Sequence, residues 1–266
     1  MSASKPRKGA NRIDTLMERA SGALAKSRYF ECERLANEAL ELAHVAHDYE
    51  RMARILLALQ EARRNRRLAA IDLKRITVLE EMPAEEASIE PGCYLVQPPL
   101  VGADGRELRE RALHDDVPVL VVVREPKTRV GLWPVVMIGP ITVRDRITPP
   151  RNESKVDMAW FIAASEALGD AAIAEVDPDL APADRVAALL DRLNTVVDHE
   201  KLHQELMDAC KAAAAAGDAN PRKAAPLPAD EDDDNAEPEV DDTAAADDAE
   251  ADAPRPPRRR ASRRAS

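Results

Sequence analysis

Ile13, Leu16, Met17, Ala20, Ala23 and Leu24 recur three and four positions apart. That spacing puts them on one face of a helix predicted over 12–26. A second helix is predicted over 29–47, with Cys32, Leu35, Ala36, Ala39, Leu40, Leu42, Ala43 and Ala46 as its apolar stripe. Asp48 suits the N-cap of a third, which carries Met52, Ile55, Leu56, Leu59 and Ala62 on one side. This third helix is expected to end in Arg63, Arg64, Arg66 and Arg67. Cations complement the carbonyl end of a helix, and the plain expectation for the cluster is a solvated helix end.

From Ile76 the pattern changes. The segments 76–79, 93–96, 117–123, 132–138 and 141–143 are rich in β-branched residues and bounded by Pro and Gly, as strands are. The run Val119-Leu120-Val121-Val122-Val123 does not alternate, so this strand is expected to be buried on both faces. The loop 124–131 should return the chain as a hairpin, with Pro134 at a sheet edge or bulge. A short helix is predicted over 105–115 with Leu108, Ala112 and Leu113 inward, and Gly102, Gly105, Gly131 and Gly139 read as turn or cap glycines. Beyond Pro150 the helical period returns. One helix over 158–174 carries Trp160, Phe161, Ala164, Leu168 and Ala172, with a break expected at Gly169. Pro182 should open the next, and Asp198 should cap a last helix running to about 216.

The first and third helices match at an offset of 35: Met17, Arg19, Ala23, Leu24 and Arg28 against Met52, Arg54, Ala58, Leu59 and Arg63. Between them runs Tyr29-x-x-Cys32-x-x-x-Ala36-x-x-Ala39-Leu40-x-Leu42-Ala43. Over about 12–68 this segment resembles a tetratricopeptide repeat, whose helix pairs recur near 34 residues and touch through small side chains. It departs from that pattern in lacking the Trp-x-x-Leu-Gly run, in having Cys32 where Ala is usual, and in having no closing Pro. The resemblance implies a groove lined by the first helices of each pair, where a peptide binds. The matched Arg19, Arg28, Arg54 and Arg63 would then meet an acidic or carboxylate-bearing protein segment.

Composition narrows the classes. Hydrophobic residues make up 45% of the chain but aromatics only 3%, so the core must be built from Ala, Leu, Val and Ile. The mix is that of a high-GC bacterial genome. Cys32, Cys93 and Cys210 show no C-x-x-C spacing, which argues for free thiols in a reducing cytoplasm. The basic, polar amino terminus leads into no apolar core, and no apolar run is long enough to span a bilayer; neither export nor a membrane partner is expected. The net charge of −11 hides two blocks: 230–252 holds acids and no bases, and 255–264 holds six arginines and no acids. Such blocks repel themselves, so 217–266 is expected to be disordered.

One pattern carries potential chemistry. His199-Glu200-Lys201-Leu202-His203 matches H-E-x-x-H, in which two imidazoles one helical turn apart hold zinc and the glutamate acts as general base. Against it, no histidine follows His203, and Lys201 puts a cation inside the motif. Surface and semi-buried histidines beside a Leu202/Leu206 stripe are the simpler expectation.

Taken together the sequence predicts an α+β protein. Its parts are a disordered N-terminal segment 1–10, a tetratricopeptide-like helical unit 11–75, a small, mostly antiparallel β module 76–150, a helical segment 151–216 and the disordered tail 217–266. The expected function is a cytoplasmic, non-enzymatic interaction protein with no cofactor. A zinc-dependent hydrolase using His199, Glu200 and His203 is the alternative. A nucleic-acid-associated protein, using the Arg63–Arg67 cluster and the arginine-rich tail, is a second.

Overall fold

The computed structural model describes residues 8–217. The expectation of disorder over 1–10 is overturned at 8–10, which form the first turn of α1; the rest of that segment and the acidic and arginine-rich tail lie outside the described residues. Seven helices and five strands follow in the order α1 Lys8–Ala25, α2 Tyr29–Val45, α3 Tyr49–Asp72, β1 Ile76–Leu79, β2 Gly92–Val96, α4 Gly102–His114, β3 Val119–Arg124, β4 Trp133–Ile138, β5 Thr142–Ile147, α5 Met158–Ala174, α6 Pro182–Thr195 and α7 Glu200–Ala215. The described part is mixed α and β. No described helix is long and apolar enough to cross a membrane.

The strands form one sheet in sequence order. β1–β2 and β2–β3 pair parallel, whereas β3–β4 and β4–β5 pair antiparallel. The sheet is therefore mixed and not mostly antiparallel. The reason is the helix between β2 and β3: α4 carries the chain back along the sheet, so β3 restarts in the direction of β2. Pro134 sits in an interior strand. Its carbonyl accepts from Glu125 N–H at 2.8 Å, just past the end of β3. Its missing N–H would point the same way, so it costs at most one bond at the margin of the β3–β4 pairing.

β3 is buried on both faces, as its unbroken apolar run predicts. Val119, Val121 and Val123 pack with Tyr94, Val96, Leu108 and Ala112 under α4. Leu120 and Val122 face the other way, into a core shared by α1–α3, the sheet and α5–α7. The first turn of α4 can lie this close to the sheet only without side chains at two positions. A Cβ on Gly105 would come within 2.2 Å of Val123 Cγ2, and one on Gly102 within 2.6 Å of Ile138 Cδ1. These two glycines are packing residues of α4 and not turn residues, while Leu113, expected inward, is exposed.

Other boundaries also moved. α5 continues through Gly169 without a break, and α7 begins at Glu200 with His199, not Asp198, at its N-cap. Pro182 opens α6 as expected. α3 does not stop at its arginines but runs on to Asp72, packed against α7 and the inner strands.

Candidate functional site

The late turns of α3 place Arg63, Arg66 and Arg67 on one face, and all three are buried. Glu33 from α2 meets two of them. Arg63 Nε donates to Oε1 at 2.8 Å, and Arg66 Nη1 donates to Oε2. Arg66 also lies over the Phe30 ring, 4.3 Å from its centroid, and Arg63 Nη2 reaches Asn37 Oδ1 at 3.4 Å. Arg67 pairs with Glu166 of α5, whose carboxyl the neighbouring His199 and then Arg67 hold down at about 2. Burial pushes Arg63 down to about 10, still well above neutral pH, and lowers Arg66 as well. The cluster read as a solvated helix end is therefore an internal charge network. Turned inward, these three offer no exposed stripe to a nucleic-acid backbone.

Facing this network across a cleft of about 240 Å³ is α4. Arg109 donates through Nη1 to Thr195 O at 3.1 Å and through Nη2 to Ile138 O at 2.7 Å, tying α4 to the end of α6 and to β4. Arg106 Nε donates to Glu110 Oε1 at 2.6 Å. The β4–β5 turn closes the third side, because Gly139 lets the chain approach Thr195 where a Cβ would stand 2.7 Å from Thr195 Cα. Asp198, between α6 and α7, also lines the cleft, and its charge favours the protonated forms of Arg63, Arg66 and Arg109. Four guanidiniums thus face three carboxylates: Arg63, Arg66, Arg106 and Arg109 against Glu33, Glu110 and Asp198. Arg66 Nε and Arg109 Nε are buried with no hydrogen-bond partner among the described residues.

The H-E-x-x-H histidines, expected at or near the surface, are both buried, because α7 packs that face onto α3 and α5, and the motif's residues turn to different partners. The His199 ring lies against Gly169, with Nε2 at 3.2 Å from Glu166 Oε2 and 3.6 Å from Asp170 Oδ1. Neither ring nitrogen of His199 has a hydrogen bond of good geometry among the described residues. Glu200 points to Arg64, 3.5 Å away. His203 Nδ1 lies 2.9 Å from His199 O and Nε2 lies 3.4 Å from Arg63 Nη1. The carbonyl must accept and the guanidinium must donate, so Nδ1 carries the proton and Nε2 is the acceptor. Burial, with Arg63 beside it, drives His203 down to about 3. A cation sits where a metal would need the lone pair of Nε2. Among the described residues no three His, Cys, Asp or Glu side chains gather around a common point.

The row of matched arginines is not gathered either. Arg19 and Arg54 are exposed, Arg28 is exposed and pairs with Glu31 at 2.8 Å, and Arg63 is buried on Glu33. The offset of 35 fails at its last pair because α1 ends at Ala25, before Arg28, whereas α3 continues past Arg63. Nothing in the sequence marked Glu33, Arg106, Arg109 and Asp198 as site residues, and Arg66 stood out only as part of the basic cluster. The one signal was that Arg63, Arg66 and Arg67 share a helical face, which also contains Ala62, Leu59 and Leu56 of the buried stripe.

Compared with models of protein families, with curated proteins and with solved structures, the chain matches none.

Proposed function

We propose that the chain is a binding protein with no reaction of its own, and that it takes an acidic group of a partner protein into the arginine-lined cleft. The observation that supports this reading is the charge balance of the cleft. Glu33 is shared by two guanidiniums, and Arg109 is held by carbonyls and has no carboxylate of its own. Half-buried positive charge without a full complement of anions favours an anion from outside. The contact then moves away from Arg19, Arg28 and Arg54. Arg63 stays within it as support, and Arg66, Arg106 and Arg109 present the charge.

Arg106 is the residue to change, because it is half-exposed and no core packing depends on it. A fluorescent Glu-rich peptide titrated into the full chain should bind. Arg106→Glu should weaken that binding by about tenfold or more, the loss of roughly one charge-assisted contact. Binding unchanged by Arg106→Glu would reject the cleft as the site.

A further inference from the structure

The cleft also constrains which acidic group it takes. Its size is the first constraint. About 240 Å³ is below the roughly 300–1,000 Å³ of pockets that enclose a drug-sized ligand. It fits one residue-sized group, not a folded segment.

Its charge is the second. Four guanidiniums against three carboxylates leave one positive charge over. A carboxylate restores neutrality, whereas a phosphate dianion would carry the site past it. Donors for a carboxylate are at hand. Arg66 commits Nη1 to Glu33 and its face to Phe30, which leaves Nη2. Arg106 commits only Nε, to Glu110. Arg106 can therefore present its planar Nη1/Nη2 edge to one carboxylate, the geometry in which Arg outperforms Lys, and Arg66 can add the N–H groups of Nη2.

Its walls are the third. Beside the charges the lining is apolar: Leu113 of α4, Val119 at the start of β3, Ile138 at the end of β4, and Pro140 in the turn. A free glutamate or aspartate side chain would meet this wall with only its short methylene stem. A group that joins a carboxylate directly to a branched apolar side chain covers it better.

Resting on the function proposed above, we infer that the cleft recognises the carboxyl terminus of a partner chain whose last residue is apolar. The α-carboxylate lies between Arg66 and Arg106, and the last side chain lies on Leu113, Val119, Ile138 and Pro140. Arg109 is a positioning residue. Its two bonds to Thr195 O and Ile138 O hold α4 at the distance the cleft needs.

Three labelled peptides test this on the full chain by fluorescence anisotropy. All share one Glu-rich body. The first ends in leucine with a free carboxylate, the second ends in leucine amide, and the third ends in aspartate with a free carboxylate. The expected result is that the first binds at least about tenfold more tightly than either of the others, and that Arg106→Gln removes most of this advantage. Equal binding of acid and amide, with both weakened by Arg106→Glu, would overturn the terminal-carboxylate inference while leaving the cleft as an acidic-segment site. Equal binding of the leucine and aspartate acids would overturn the apolar half of the inference. No binding by any of the three would overturn both this inference and the function it rests on.

Discussion

A Cβ added to Gly169 would lie 2.0 Å from Cγ of His199, so the imidazole occupies the space where a side chain on α5 would be. This explains a glycine inside an unbroken helix. Alanine there would favour the helix by about 1 kcal/mol, but the ring would have to move. His199 is in turn held by its place at the N-cap of α7, with φ −90° and ψ 114°.

Gly169→Ala should therefore destabilise the protein by a net of about 1–3 kcal/mol, the usual cost of overpacking a core. In a His199→Ala background the same substitution should cost far less or stabilise, because the clash is gone and helix propensity remains. Urea denaturation of the two single variants and the double variant gives the coupling directly. Independent, additive effects would mean that the two residues do not share this space.

Removing the shared carboxylate should be the more severe change. Glu33→Gln leaves Arg63 and Arg66 buried and without their counter-charge, a class of change that costs about 3–5 kcal/mol. Glu166→Gln should cost less, because the Glu166 side chain keeps 36% of its surface in water and its ion pair with Arg67 is screened. The comparison is a pair of denaturant midpoints at neutral pH. A Glu33→Gln variant as stable as the parent would show that the pairing is electrostatically neutral overall.

Acid should weaken the fold in two stages. His203 titrates near 3 when folded, against about 6.5 when unfolded, so between those values the unfolded chain binds the extra proton. Stability is then at its plateau above about pH 6.5 and falls as the pH drops toward 3. Glu166 is likewise held at about 2, so its contribution is present above its unfolded value near 4.5 and is lost below it. Stability followed from pH 7.5 to 4 by thermal unfolding should slope downward with acid. His203→Gln, whose amide can donate to His199 O and accept from Arg63, should flatten the upper part of that slope.

Four helices end on a non-glycine residue in the left-handed region: Ser27, His47, Lys74 and Asp116, with φ between 50° and 56°. Lys74 follows α3 and is exposed. L-residues resist this conformation, and glycine does not. Lys74→Gly should therefore raise stability by about 0.5 kcal/mol, after the larger entropy of glycine in the unfolded chain is subtracted. A lower melting temperature for this variant would contradict the account.

Much of the local architecture can be read without coordinates. The apolar period places α1 and α2 within a few residues, and β1 at 76–79 is an unshifted match. The unbroken run Val119–Val123 announces a strand covered on both faces, which is what α4 and the main core do. Three of the misplaced features share one cause. Gly102, Gly105 and Gly169 look like local punctuation, yet each is glycine because something distant in sequence lies against it: Ile138, Val123 and His199.

Side-chain periodicity is a property of neighbours three and four apart, so the sequence alone determined where helices and strands form and which face of each is apolar. It could not determine the fate of the arginines that follow the apolar stripe of α3. Their partners, Glu33, Glu166 and His203, stand 30 to 140 positions away. A row of cations at a helix end is stable in water or against buried carboxylates, and the local pattern is the same for both. Only the packing of α2, α5 and α7 around α3 removed the water, and with it the choice.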